Sequence, residues 1–596
     1  SFSLFLRQMT VAGAGDSDVV LATNNSLNKE EEDGLKGTGG NHFFGEHVIQ
    51  PHSELPKPEP PRGLFLLHHS PTAPPHVDDV VPTIKTFIKR RLSLLTKEDA
   101  ADVTEINLSG VQVIVKAVSG EEPVKGRITF FSRSNCRDST AVRRFFQERG
   151  LRFVEVNVDV YPHRRKELVE RTGGDEVPRI FFNEKLVGGL VALNSLRNSG
   201  EFDRRMREML GSKCEGDAPA MPVYGFDDEE GDDEDDEALA VVRVLRQRLP
   251  IQDRLMKMKI VHNCFSGNEM IEVLVHYLDC GRAKAIEVGK QLAKRHFFHH
   301  VFGQNDFEAG NHYYRFLEHE PCISKCYNFR GSTNDSEPKP AAVVSSRLHK
   351  LMSAILESYA SDDRRHVDYA AISKSEEFRR YVNLVQHLQR VDLQKLGANE
   401  RLAFFLNMYN AMVIHAVTRI GCSKGVMDRR SFYSDFQYII GGHPYSLNAI
   451  KNGILRGNRR SPYSFVKPFG GSDKRLELCM GEVNPLIHFG LCNGTRSSPT
   501  VRFFTPQGVE SELRQATRDF FQGVGGGEVE VDLERRSLHL SRIINWFGSD
   551  FGQEKEIVKW IVNYLDPNRA GLLTHLLRDG GPIKIVYQDY DWSVNS

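Results

Sequence analysis

A chain of 596 residues exceeds one hydrophobic core, because single cores stop growing at roughly 250–300 residues, so several domains are expected. With 40% hydrophobic residues it has material for globular cores, yet no stretch reaches the about 18 consecutive apolar residues of a membrane-spanning helix. The net charge of −1 hides an asymmetry: Asp227 to Glu237 holds ten carboxylates and one glycine, leaving about +9 on the rest of the chain. An excess so diluted suits an anionic membrane surface or acidic partners and argues against nucleic acid. Nine cysteines, odd in number and unpatterned, fit a reducing, cytoplasmic compartment better than a disulfide framework.

The chain opens on Ser1 rather than Met, with Met9 nearby, which suits a fragment or an irregular gene model; the start SFSLFL is too brief for a secretory signal. Residues 1–78 are rich in Gly, Asn, His and Pro, lack apolar periodicity and read as disordered. Over residues 79–118, Val81, Ile84, Phe87, Ile88 and Leu92 fall at helical spacing with Lys89, Arg90 and Arg91 among them. This amphipathic, basic segment reads as a helix packed on the next domain, or as a membrane-surface helix.

Residues 120–212 carry the first clear domain. RITFFS reads as a buried strand, SNCRDS as a turn into a helix with Val142, Phe145 and Phe146 on one face, and FVEVNVDV as a second strand. PHRRKELVERTG reads as a helix, VPRIFFNEKLVGG as a hairpin turning at Asn183-Glu184, and SLRNSGEFDRRMREML as one closing helix. That order is a thioredoxin-type α/β fold. Cys136 follows a strand at a helix N-terminus, where the dipole and free N–H groups favour thiolate, and Arg133 and Arg137 flank it.

With Cys136, Val177-Pro178 and Gly188-Gly189 in place, this segment resembles the glutaredoxin family. The resemblance implies a cis-proline at Val177-Pro178 facing the cysteine, and a backbone at Val177 that pairs with glutathione or a peptide. It also implies a glutathione γ-glutamyl end beside Gly188-Gly189, with Arg133 at the same site; glutathione is the cofactor implied, and no metal is expected. The pattern departs from the family in three ways. The motif is Cys136-Arg137-Asp138-Ser139, so Ser139 stands where dithiol members have a second cysteine. Leu190-Val191 replaces a polar-acidic pair, and the Tyr usual beside the cysteine is missing. Only one-cysteine chemistry remains, in which external glutathione regenerates Cys136. A binding module that has lost the redox cycle is the other reading, and the Cys-Gly-Phe-Ser motif of iron–sulfur members is absent.

Residues 213–237 read as a solvated, self-repelling acidic linker. Residues 238–320 resemble a DEP domain, a winged-helix (α+β) adaptor module. IQDRLMKMKIVHNCFSGNEMIEVLVHYLDC matches its first helix, hairpin and second helix, with a capping box from Ser266 and Glu269. AKAIEVGKQLAKRHFFHHV matches the third helix, with HFFHHV closing it, and FEAGNHYYRFLEHE matches the final strands. Between Arg254 and Arg295 eight Lys/Arg face four Asp/Glu. The resemblance implies a receptor or acidic membrane lipid as partner, hence a cytoplasmic chain peripheral at a membrane. Cys322 and Cys326 have a metal-like gap, but no second pair or His follows at zinc spacing.

Residues 321–344 read as a second linker. Residues 345–596, mainly α (α+β), resemble domain-of-unknown-function family 547, and the whole chain resembles plant proteins combining the three modules. ANERLAFFLNMYNAMVIHAVTRIG is a long apolar helix carrying Asn407, Asn410 and His415. His415, His443, His488, Asn410, Asp591 and Cys492 are the residue types of a Cys/His/Asn hydrolase, or buried groups that fix helix register. The multidomain reading admits a signalling adaptor that senses or binds thiols, a glutathione-dependent monothiol oxidoreductase localised by its DEP domain, and a C-terminal hydrolase.

Overall fold

In the computed structural model, residues 21–22, 103–108, 111–116 and most of 126–596 are described; 213, 215–216, 223–235, 257, 304–306, 423–424, 463 and 524–528 are the gaps in that last span. The helix expected over 81–92 lies outside the described residues, as does the disorder expected over residues 1–78 except at Leu21–Ala22, which form a strand; the described part of 79–118 is strand. Two units separate at Lys125 and Gly126. In the first, strands β1 (Leu21–Ala22), β2 (Val103–Leu108) and β3 (Val111–Lys116) pair antiparallel in the order β1-β3-β2.

The second unit opens with β4 (Ile128–Ser132), α1 (Arg137–Glu148), β5 (Val154–Asn157), α2 (Arg164–Thr172), β6 (Arg179–Phe182) and β7 (Lys185–Gly188). The sheet order is β5-β4-β6-β7, with β4 parallel to β5 and antiparallel to β6. Every residue of β4 is buried because both faces are covered, which is why its apolar residues Ile128, Phe130 and Phe131 fall on both faces rather than alternating with exposed ones. The expected closing helix is two: α3 (Leu190–Asn198) and α4 (Phe202–Gly211), broken at Ser199-Gly200. The break lets Leu193 and Leu196 of α3 and Phe202 and Met206 of α4 enter one core with Phe130, Val142 and Phe146.

The next module holds α5 (Leu239–Arg248), β8 (Gln252–Met256), β9 (Lys259–Ser266), α6 (Gly267–Leu278), α7 (Arg282–Lys294), β10 (Phe298–His300) and β11 (Tyr313–Phe316). Its sheet order is β10-β11-β9-β8, a helical core carrying a β wing. The capping box forms as expected: Ser266 N–H donates to Glu269 Oε2 (2.7 Å), and Glu269 N–H donates to Ser266 Oγ (3.2 Å). Two expectations shift. The first helix lies upstream at α5, and QDRLM is a strand paired with β9. HFFHHV leaves the helix at His296 and becomes β10, where Phe298 pairs with Phe316 and enters the core.

The C-terminal part begins at α8 (Ala341–Tyr359), α9 (Tyr369–Lys374), α10 (Glu376–Leu384) and α11 (Ala398–Ile420). A helix α12 (Val426–Asp435) leads into a hairpin of β12 (Gln437–Ile440) and β13 (His443–Ser446). A smaller sheet of three short strands follows: β14 (Glu530–Asp532), β15 (Ser537–Leu540) and β16 (Lys584–Tyr587). Its main core is shared with the first module: Phe131, Val156, Val158, Tyr161 and Phe181 pack in one cluster with Leu351, Ile355 and Tyr381. The thioredoxin-type sheet therefore buries one face on its own α1, α3 and α4, and gives the other to the C-terminal part.

Asp236 and Asn328, in the segments read as linkers, are seated in the fold. Asp236, near the end of the acidic run, has a fully buried carboxylate that pairs with Arg295 after α7 and with Arg390 Nη1 (2.8 Å). Burial favours its neutral form, but the bond from Arg390, the Ala238 N–H and both guanidinium charges outweigh this and hold its carboxyl below the usual range. Nearby, Asn328 is buried: its Nδ2 donates to the Val385 and Ile439 carbonyls, and its Oδ1 accepts from Ile439 N–H. One charge and one amide thus fasten the middle module and the segment after it to the C-terminal core.

Candidate thiol site

Register alone gathers three of the four segments expected at the site. Phe131 of β4 pairs with Arg179 of β6, so Pro178 stands beside the end of β4, and Ile180 pairs with Gly188 of β7. The peptide Val177-Pro178 is cis. Cys136, half-buried, is the N-cap of α1 in extended backbone; its side chain makes no capping bond, and its carbonyl accepts from Thr140 N–H (3.0 Å). Thr140 Oγ1 donates to the same carbonyl at 3.1 Å.

The double glycine has a steric cause. A Cβ on Gly189 would come to 3.2 Å from the Pro178 carbonyl oxygen, and one on Gly188, at φ +120°, would sit 2.8 Å from Ala192 Cβ. Two glycines are what allow the start of α3 to close against the cis-proline loop. Beyond them Leu190 is half-buried and Val191 is 80% exposed, so the start of α3 presents apolar side chains to solvent. Arg133 turns toward Asp175 (3.8 Å), which also pairs with Arg165 at 3.1 Å. Ser139, in the first turn of α1, is wholly buried with no hydrogen bond to its Oγ.

Residue 135 adds what motif reading missed. Asn135 is left-handed (φ +58°), and its N–H donates to Glu357 Oε1 at 2.7 Å. Its Nδ2 donates to Ser353 Oγ (3.1 Å) and lies 3.4 Å from His349 Nε2. All three partners are on α8. Glu357 also takes Arg143 Nη2 of α1 (3.4 Å), and Arg143 in turn forks onto Glu155. Burial pushes the Glu357 carboxyl up, opposed by the Asn135 N–H and the Arg143 charge. Ser134 N–H donates to Asp159, which pairs with Lys350 of α8 at 3.5 Å. The turn that presents Cys136 is therefore held by a helix more than 200 residues away.

A family model described as Glutaredoxin matches residues 128–187. A second, the Domain found in Dishevelled, Egl-10, and Pleckstrin (DEP), matches 248–316, and Protein of unknown function, DUF547 matches 393–521. One chain carries all three domains. A glutaredoxin of Pseudomonas aeruginosa is 29% identical over 76 residues, 13% of this chain and 90% of that protein. Among solved structures, a buckwheat glutaredoxin–glutathione complex is 22% identical over 15% of this chain and 83% of its own, at a TM-score of 0.14. The holo form of glutaredoxin C1 from Populus tremula x tremuloides is 18% identical, covering 16% and 87%, at 0.15. Glutaredoxin from Brucella melitensis is 26% identical, covering 14% and 91%, at 0.13.

The C-terminal residues considered for hydrolysis do not converge. In the DUF547 part, Cys492 Sγ contacts Ser498 Oγ (3.5 Å) and the Gly494 N–H (3.3 Å). His415 bonds Tyr438 instead, and His488 Nε2 bonds Asp550 at 2.9 Å. Asn410 Nδ2 donates to the Gly490 and Arg502 carbonyls and its Oδ1 accepts from Cys492 N–H, which makes it a core clamp. Asp591 bonds Ser593 at the exposed C-terminus. The DEP histidines stack against the DUF547 hairpin: His296 Nδ1 lies 3.2 Å from His299 Nε2, and the His299 and His443 rings are 5.3 Å apart. Burial pushes His296 and His443 down to about 4, so both are neutral packing groups at pH 7. Among the described residues, no group of three or more His, Cys, Asp or Glu is arranged to hold a metal, and no helix is long and apolar enough to cross a membrane.

Proposed function

We propose that this chain is a redox-sensing adaptor: its glutaredoxin domain captures glutathione on Cys136, and its DEP domain docks the chain on an acidic membrane surface of the cytoplasm. The observation that carries the thiol reading is the half-buried Cys136 at the start of α1, shortly after the end of β4, with the β4–β6 register setting cis Val177-Pro178 beside that strand end and the glycine pair closing on the proline. In the reaction, the Cys136 thiolate attacks the glutathionyl sulfur of a mixed disulfide R–S–S–G. The S–S bond breaks, R–S⁻ leaves and takes a proton, and Cys136–S–S–G remains. With Ser139 in place of a second thiol, only external glutathione returns Cys136 to the thiol, releasing glutathione disulfide. The fastening of the Asn135 turn to α8 supports a sensing role, because it ties the turn that would carry the adduct to the DUF547 core.

For the DEP part, the β8–β9 hairpin supports docking: Leu255, Met258 and Ile260 are 74%, 95% and 62% exposed beside Lys259. Arg254 and Arg295, the ends of the basic stretch, are spent on Glu269 and Asp236 and do not add to the charge offered to lipid.

Similarity to a bacterial glutaredoxin over 90% of that protein's length favours a second reading, catalytic turnover at the same thiol. Full-length protein and Cys136→Ser are compared with glutathione and a glutathionylated peptide, following both turnover and the adduct on the Cys136 peptide. An adduct that vanishes in Cys136→Ser, with little turnover, is the expected result. Rapid turnover dependent on Cys136 would replace the adaptor reading by the enzyme. Neither adduct nor turnover would remove both.

A further inference from the structure

The Cys322/Cys326 pair, with its metal-like gap, has no use in the thiol site. Cys322 is the second residue of a short 3₁₀ turn, Pro321–Lys325, and Cys326 caps its end, just after the DEP sheet. Cys326 is 6% exposed against Leu317 and Ile439, whereas Cys322 is half-buried and reached from solvent. Cys326 S–H donates to the Cys322 carbonyl oxygen at 3.1 Å, which sets its sulfur beside the backbone of Cys322. Among the described residues no third ligand joins them in a metal-holding group. Two cysteines one turn apart, with no further ligand, are the makings of a disulfide, not of a zinc centre.

The surrounding backbone is already braced. Cys326 forms a parallel bridge to Gln437, Tyr327 N–H donates to the Gln437 carbonyl (2.9 Å), and Lys325 pairs with Asp435 (2.7 Å). Asn328, two residues on, is locked into the core, so the backbone that carries Cys326 is held in place.

We propose that Cys322 and Cys326 are a redox-active dithiol at the seam of the DEP and DUF547 domains, closed to a disulfide by a low-molecular-weight disulfide such as glutathione disulfide. Cys322 is the attacking sulfur and Cys326 the resolving one. Cys322 is the thiol that solvent reaches, and its neighbour Cys326 holds it below the usual range, while Cys322 and burial push Cys326 up. Cys322–S⁻ attacks one sulfur of G–S–S–G; that S–S bond breaks, and the departing GS⁻ takes up a proton. Cys326 then loses its proton and attacks Cys322 Sγ, expelling the second GS⁻, which is protonated in turn. The balance is two protein thiols oxidised and one glutathione disulfide reduced to two glutathione molecules. Nothing in this step uses Cys136.

The test uses the full chain and its Cys136→Ser variant, each equilibrated in anaerobic glutathione buffers from fully reduced to fully oxidised. Samples are quenched in acid, blocked with iodoacetamide and cut with trypsin. Cleavage after Arg315, Lys325 and Arg330 puts the cysteines on separate peptides, Phe316–Lys325 and Cys326–Arg330, which migrate as one species only when disulfide-linked. The expected result is a linked pair that rises from near zero to the majority species as the buffer is oxidised, equally in both proteins. Cys326→Ser should show one glutathionyl group held on Cys322. Peptides that stay unlinked in pure glutathione disulfide, or that link only after denaturation in urea, would overturn the proposal, and that readout on the unsubstituted chain depends on no variant folding.

Discussion

Ser139 carries a cost that the thiol site does not need. Its Oγ is buried with no hydrogen bond, and a buried polar group left unpaired costs about 1–3 kcal/mol. Ser139→Ala should therefore stabilise the chain by about 1 kcal/mol, read as a higher urea midpoint at an unchanged slope. Ser139→Cys would restore a second thiol in the first turn of α1. In oxidised glutathione it should lose one more free thiol than the unsubstituted chain, as an internal disulfide that carries no glutathionyl group. At this scale the sequence was informative wherever chemistry is written locally: Cys136 after a strand, a proline at the head of the next, and paired glycines. Asn135 was opaque, because its partners Glu357, Ser353 and His349 are distant in sequence and look like ordinary helix residues.

Among elements, the contact of α8 with the Cys136 turn and the seat of Asp236 do the coupling between domains. Glu357→Gln keeps the side chain's shape while removing the charge that faces Arg143. It should speed hydrogen exchange at Ser134, Asn135 and Cys136 and leave exchange in β4 nearly unchanged, a local opening of the turn. Asp236→Asn leaves Arg390 buried beside a neutral group, and breaking a buried pair costs about 3 kcal/mol. Because the folded carboxyl sits below its usual range, the unfolded chain takes up its proton first on acidification. The stabilisation is complete above the ordinary Asp range near pH 4 and is lost as pH falls through the folded value. The Asn variant should therefore show a shallower loss of stability below pH 4 in acid titration. Periodicity found the main helices, but it placed the first DEP helix too late and merged α3 with α4. It also took HFFHHV for a helix end, since an apolar run has no marker for a strand partner 16 residues on.

At the scale of the molecule, one core runs from the glutaredoxin sheet into the DUF547 helices, and Arg380 of α10 lies 4.7 Å over the ring of Tyr161. No composition count reveals that seam, because its apolar residues read as each domain's own core. The β8–β9 hairpin of the DEP domain leaves Leu255, Met258 and Ile260 exposed. Replacing Leu255 and Ile260 by Asp should weaken sedimentation with phosphatidylserine vesicles by at least about tenfold, or about 1.4 kcal/mol, with little change in thermal stability. Equal sedimentation of both proteins would remove the hairpin as the lipid contact. The account as a whole stands on Cys136. Its most direct test is peptide mapping of the full chain after exposure to a glutathionylated peptide: the account predicts one glutathionyl group on Cys136, released by free glutathione and absent in Cys136→Ser. A Cys136 that stays unmodified while the chain remains folded would contradict it.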